Sequence, residues 1–176
     1  MTENIFETTS HQKVLGFLAS FPDKAYFSSE VSRSASISLG AANRALRELS
    51  RAGFLTKEKK GKMNFYTVDL KNPIIRQFKV IQNIVALEET IQKLKRVSQK
   101  IVLFGSAASG TNLEGSDIDL FVLANDPKKV LGIINKTKLA EKVQVITKKP
   151  IDIPSLKKKD PIFYEEVEKG LIFWEK

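Results

Sequence analysis

Apolar and polar positions run along the chain with two different periods, and each change of period marks an element. Val14, Leu15 and Leu18, with Phe17 beside them, recur at helical spacing and predict a helix over 10–20 with Ser10 as its N-cap. Phe21-Pro22-Asp23 stops it, since proline cannot continue a helix. Ser28-Ser29-Glu30-Val31 opens a short second helix to about Ala35, and Ser36-Ile37-Ser38 makes a turn. Ser38 is the expected N-cap of a third helix that carries Ala41, Ala42, Ala45, Leu46 and Leu49 and closes at Gly53, a favoured residue just past a helix end. Two strands follow, Phe54–Glu58 and Met63–Val68, joined by the basic tip Lys59-Lys60-Gly61-Lys62.

From Ile74 to Gln99 there is no glycine or proline, and Ile74, Phe78, Ile81, Ile84, Val85, Leu87, Ile91 and Leu94 recur near the helical period. This predicts one connecting helix on the order of 35 Å long at 1.5 Å rise per residue. Its apolar face must bury either against the flanking modules or against a second copy of the chain. Beyond it, strand and helix signals alternate. Ile101–Phe104 reads as a strand, Ser106–Gly110 as a helical turn and Asp117–Ala124 as a second strand. Asp126-Pro127 opens a helix to about Leu139, with proline at its first position, and Lys142–Thr147 is a third strand. A helix over 161–169 ends at Gly170, and Leu171-Ile172-Phe173-Trp174 makes a short final strand whose Phe173 and Trp174 are read as core aromatics.

Composition narrows the chemistry. The chain has no cysteine, which removes disulfides, zinc–thiolate sites and thiol nucleophiles, and its single histidine, His11, cannot build a histidine metal cluster. His11 is read as a surface residue at the start of the first helix. The segment Met1–Phe6 shows no apolar leader and no apolar run approaches the ~20 residues of a membrane span, so a cytoplasmic protein without a membrane partner is expected. The net charge of +9 is unevenly spread. Residues 1–97 hold 16 Lys and Arg against 9 Asp and Glu, whereas residues 98–176 hold 13 against 11. A basic half joined to a nearly neutral half argues for two modules, one of which faces a polyanion.

Three helices followed by a hairpin with a basic tip form the plan of a winged helix-turn-helix, and Ala41–Leu55 resembles the recognition helix and first wing strand of bacterial and archaeal regulators. The resemblance implies double-stranded DNA as a partner. Ser38, Asn43, Arg44 and Arg47 would lie on the groove-facing side of the third helix, and Lys59, Lys60 and Lys62 would meet backbone phosphates. Since such regulators commonly bind paired half-sites, it also favours a homodimer, with the connecting helix as interface.

The second module concentrates its chemistry in Gly105-Ser106 and Asp117-Ile118-Asp119. Side chains alternate along a strand, so Asp117 and Asp119 emerge on one side, where two close carboxylates repel unless a cation sits between them. Hard oxygen ligands of this kind suit Mg²⁺, while Gly105 permits a tight turn and Ser106 can meet a phosphate. Gly105–Thr111 reads G-x-x-x-x-G-T, but the lysine of a phosphate-binding P-loop is absent, with Thr111 in its place. The strand, Gly-Ser turn, spacing and Asp-x-Asp strand instead resemble the DNA polymerase β-like nucleotidyltransferase superfamily, Ser116–Leu120 having the form of its minimal members. The resemblance implies that Asp117 and Asp119 are catalytic metal ligands for Mg²⁺, and that Gly105 and Ser106 bind the phosphates of an NTP, with ATP the expected nucleotide.

The chain departs from that family's pattern at two positions. Active members carry a third carboxylate on a later strand, where Gln144 stands here, and Glu141 and Asp152 are out of alternation. Ser109 replaces an arginine common before the second glycine. Lys157-Lys158-Lys159 is read as a solvated face. The whole is expected to be a two-domain α/β protein, with an α+β winged helix over 1–72, a connecting helix over 73–99 and a small nucleotidyltransferase-fold sheet over 100–176. Three functions are consistent with it: a DNA-binding protein that transfers a nucleotidyl group to a protein or small-molecule acceptor, a transcriptional regulator whose second module is a catalytically degenerate nucleotide sensor or assembly module, and an antitoxin-like nucleotidyltransferase that modifies a partner toxin.

Overall fold

The computed structural model describes residues 9–176; Met1–Phe6, read above for a leader, lie outside them. The chain divides into two compact units, the first ending at Arg76 and the second spanning Gln77–Lys176. Among the described residues no helix is long and apolar enough to cross a membrane.

The first unit holds helices α1 (Ser10–Ser20), α2 (Ser28–Ser34) and α3 (Leu39–Arg51) and strands β1 (Tyr26–Phe27), β2 (Leu55–Lys60) and β3 (Met63–Val68). The cap of α1 is Thr9 and not Ser10. Gln12 stands three residues on from Thr9, and the two close a capping box in which Gln12 N–H donates to Thr9 Oγ1 and Thr9 N–H donates to Gln12 Oε1 at 2.8 Å. Ser38 caps α3 as expected, accepting from Ala41 N–H, and Gly53 follows its end at φ 80°. Ala42, Ala45, Leu46 and Leu49 of α3 pack with Val14, Leu15 and Leu18 of α1 and Val31 of α2 as the buried core of the unit. Truncating a fully buried Leu46 there would cost ~2–5 kcal/mol.

The sheet order is β1-β3-β2, antiparallel throughout. β1, two residues long, carries too little alternation to be seen in sequence. The wing is longer and its tip shorter than expected: Lys60 pairs with Met63, so Lys59 and Lys60 belong to β2 and only Gly61 and Lys62 make the turn. Gly61, at φ 62°, supplies the left-handed backbone that a two-residue hairpin requires.

Helix α4 (Pro73–Leu94) carries the chain from the first unit into the second. It ends five residues before the expected Gln99, because the Ser98 hydroxyl donates to Leu94 O at 2.8 Å and Gln99 N–H already donates to Leu123 O in the sheet. The second unit continues with β4 (Lys100–Phe104), α5 (Gly105–Ser109), β5 (Ile118–Leu123), α6 (Pro127–Ile134), β6 (Val143–Lys148), α7 (Ile153–Lys159), α8 (Pro161–Glu168) and β7 (Leu171–Glu175). Asp126 caps α6 as its sequence suggests, but the helix stops at Ile134, short of Leu139, where the Thr137 hydroxyl takes the Ile134 carbonyl.

The four strands run in the order β6-β5-β4-β7, with β5 and β6 parallel and the other neighbours antiparallel. Strand alternation divides the core. Ile101, Leu103, Ile118, Leu120, Val122 and Val143 point to one face and bury Leu87, Ile91 and Leu94 of α4 and Val130 and Ile134 of α6. Val102, Phe104 and Phe121 point to the other, where Val167 and Phe163 of α8 cover them. The apolar face of the far half of α4 is therefore core of its own unit. Phe173 and Trp174 pack at the margin of the first face, half-buried.

Candidate functional site

β4 ends at Phe104 and the chain turns at once. Gly105 takes φ 67°, a region L side chains avoid, and a Cβ built on it would lie 2.6 Å from Asp119 Oδ2. The glycine is needed twice over, for its backbone and for the carboxylate packed against it. α5 is a single tight turn whose carbonyls are gathered by the residues after it. Ser106 O accepts the amides of Thr111 and Asn112, and Gly110, at φ 69°, reverses the chain. Ser109, where the family pattern has arginine, ties the same turn with its hydroxyl, reaching Ser106 O at 3.1 Å and Thr111 Oγ1 at 2.9 Å.

A second turn delivers the aspartates. Leu113 N–H donates to Ser116 Oγ, Ser116 N–H donates to Leu113 O, and Gly115 sits at φ 82° between them. Asp117 follows, exposed, one residue before β5, and Asp119 is half-buried on the strand. Asp119 pairs with Phe104 on one side and with Gln144 on the other, so Gln144 occupies the register position next to it and its amide is exposed. Asp152 is committed elsewhere, its Oδ2 accepting from Lys149 N–H at 3.2 Å.

Burial pushes the Asp119 carboxyl above its ordinary range, and the charges of Asp117 and Glu166 push it further. Glu166 lies on α8, 47 residues along the chain from Asp119, and sequence reasoning did not single it out. Only the packing of α8 against the face that carries Asp119 brings its charge to bear. Among the described residues no three Asp, Glu, His or Cys side chains gather as a ready-made metal cluster. Two carboxylates beside the Gly105-Ser106 turn still fit Mg²⁺, which characteristically takes one or two carboxylates and completes its shell with water and substrate phosphate.

In the first unit, Asn43, Arg44 and Arg47 are exposed along α3, and Ser38 is exposed but spends its hydroxyl on the cap. Arg44 also lines a cleft of about 540 Å³ with His11, Gly40 and Ala41. His11 does more than face solvent: its Nε2 pairs with Glu48 Oε2 at 2.6 Å and links α1 to α3. On the wing, Lys59, Lys60 and Lys62 are all exposed, and Lys60 also pairs with Glu58 at 3.1 Å and lies over the Phe65 ring.

Residues 84–170 match the family model for the nucleotidyltransferase domain, which assigns the sheet of the second unit to that fold. No curated protein matches the chain. Solved structures give looser likenesses. A zinc-responsive MarR family member, ZitR of Lactococcus lactis, is 13% identical over 54% of this chain and 66% of its own, with a TM-score of 0.39. Sso10a-2, a DNA-binding protein of Sulfolobus solfataricus, is 17% identical over 47% and 93%, with a TM-score of 0.35. The archaeal chromatin protein TrmBL2 is 14% identical over 98% and 79%, with a TM-score of 0.34. Scores at this level do not define a fold, and the two-part architecture, a winged-helix-like unit and a nucleotidyltransferase-fold unit, rests on the elements themselves and on the family match.

Proposed function

We propose that the second unit binds a Mg²⁺–nucleoside triphosphate, with ATP the expected nucleotide, and that the first unit binds double-stranded DNA. The observation that supports the nucleotide reading is the close approach of Gly105 to Asp119, which sets the Gly105-Ser106 turn directly against a carboxylate whose proton affinity is raised. Gly105 and Ser106 offer backbone to the phosphates, and Asp117 and Asp119 hold the metal. When bound, Mg²⁺ would relieve the carboxylate repulsion and offset phosphate charge. Anisotropy of a fluorescent ATP analogue tests it: Mg²⁺-dependent binding lost in Asp117→Ala supports the reading, and binding indifferent to EDTA and to that substitution removes it.

A second reading, nucleotidyl transfer to a protein or small-molecule acceptor, is favoured by Glu166. With Gln144 in register beside Asp119, no third carboxylate comes from β6, but α8 brings one into electrostatic reach. In that reaction the acceptor oxygen bonds the α-phosphorus, the bond from that phosphorus to the bridging oxygen breaks, pyrophosphate leaves, and the acceptor proton passes to a base, for which Glu166 is the candidate. Label passing from α-labelled ATP to a co-purified acceptor, abolished by Glu166→Gln, supports transfer; nucleotide binding with no label passed supports a sensor.

The DNA reading rests on the exposed Asn43, Arg44 and Arg47 of α3 together with Lys59 and Lys62 of the wing. Lys62→Ala should lower the slope of log affinity against log salt by about 1. Lys60→Ala should lower it less, because Glu58 already holds that ammonium. Equal slopes in all three proteins would contradict a phosphate-binding wing. We further propose a homodimer, because Ile74 and Ile81 are exposed on α4 and, with half-buried Phe78 and Val85, fall at the four-three spacing of a self-complementary helical seam.

A further inference from the structure

The residues that shape the phosphate turn are not all near it in sequence. Lys79, on α4, is only 4% exposed, and its ammonium donates to the carbonyl of Asn112. One turn further along α4, Asn83 Nδ2 donates to Ala107 O at 2.8 Å and to Asn112 Oδ1 at 3.1 Å. Ala107 lies within the Gly105–Asn112 turn and Asn112 ends it. Ala107 O is among the carbonyls that a five-residue helix leaves without an internal partner, and the Asn112 backbone N–H donates to Ser106 O. A continuous run of hydrogen bonds thus leads from two side chains of α4 to the backbone of Ser106.

Packing alone does not account for a lysine at this position. Enclosing an ammonium costs several kcal/mol unless hydrogen bonds and counter-charge compensate it, and a methionine would fill the same space at no such cost. Desolvation pulls Lys79 below its ordinary range and Glu114 partly restores it. The enclosed cation, bonded to the Asn112 carbonyl, lies beside a turn whose own sequence lacks both the P-loop lysine and the family arginine.

We propose that Lys79 and Asn83 are positioning residues of the nucleotide site, holding the Gly105–Asn112 turn in its phosphate-accepting shape from α4. The proposal rests on the nucleotide-binding reading of that turn. Two measurements on the full chain test it separately from that reading. The first is the affinity of Mg²⁺–ATP and of AMP for wild type, Lys79→Met, Lys79→Arg and Asn83→Leu. Lys79→Met and Asn83→Leu should weaken Mg²⁺–ATP by about tenfold or more, since each removes a hydrogen bond to a shaped carbonyl, while AMP is little changed and Lys79→Arg recovers most of the loss. A loss common to ATP and AMP is the mark of a merely structural role and overturns the proposal, as does wild-type affinity in both variants. The second is hydrogen exchange at the Thr111 and Asn112 amides without nucleotide, expected to quicken at least severalfold in Lys79→Met. If that variant does not fold, Asn83→Leu takes its place in both measurements. Unchanged exchange overturns the proposal whether or not nucleotide binds; absence of Mg²⁺–ATP binding by wild type overturns the nucleotide reading instead.

Discussion

Replacing Gly105 by alanine separates the cost of a backbone from the cost of a site. At φ 67° the new residue sits in left-handed backbone, which costs an L-residue roughly 1–2 kcal/mol. Its Cβ would also meet Asp119 Oδ2 at 2.6 Å, whereas ordinary contact begins at 3.4 Å. The carboxylate is the end of a side chain and can swing away, so this overlap adds little to the stability loss. It moves the Asp119 carboxylate by about 0.8 Å, however, the difference between those two distances. Gly115→Ala is the control. It has the same kind of backbone, φ 82°, with nothing within 4 Å of the added carbon. Both variants should lose about 4–8 °C per kcal/mol in thermal melts of the second unit. Mg²⁺–ATP affinity should then part them. Gly105→Ala should bind about 100-fold more weakly, the scale of an ångström-sized misplacement, while Gly115→Ala keeps most of its affinity. If Gly105→Ala binds like wild type, or if the two variants lose affinity equally, the carboxylate is not held by this contact and the reasoning fails.

Gly170→Ala should be more damaging to the fold than either, because its Cβ would meet Leu103 O at 2.5 Å and Val102 Cγ1 at 2.6 Å, atoms that cannot rotate out of the way cheaply. A chemical melt should show a loss of about 1–3 kcal/mol, and a neutral result would mean that α8 packs less closely on β4 than described. Asp119→Asn should raise the melting temperature at neutral pH. The native carboxyl titrates above its unfolded value, so its charged form destabilises the fold increasingly as pH rises through that window; the variant's advantage should shrink to a pH-independent remainder below the ordinary carboxylate value of 3.8, and an advantage unchanged with pH would contradict the stated cause. Ile81→Glu should halve the mass seen by light scattering if α4 forms the proposed seam, and a wild-type monomer would dispose of the seam at once.

What the sequence made legible was local. Ser38 and Gly53 bracket α3 because capping and left-handed backbone are written in single residues, and the apolar spacing of Ala42, Ala45, Leu46 and Leu49 is the core itself. The Gly-Ser turn and the two aspartates were visible for the same reason. Elements without a period were not. β1 has two residues, and α7, with three lysines and no fully buried residue, carries no apolar stripe strong enough to announce a helix. The hairpin tip was misplaced by two residues because Lys59 and Lys60 are poor strand signals, and only the pairing of Lys60 with Met63 keeps them in the ladder. Least legible were Glu166, Lys79 and Asn83. Each acts on the site from another element, and nothing in a linear reading says that α8 and α4 converge on the segment 105–119.

The central claim is that Asp117 and Asp119, beside the Gly105-Ser106 turn, hold a metal–nucleotide. Calorimetric titration of Mg²⁺–ATP into wild type and into the Asp117→Asn/Asp119→Asn double variant tests it most directly. The account predicts one site per chain in wild type, dependent on Mg²⁺, and no measurable heat in the variant. Equal binding by the two proteins would contradict it.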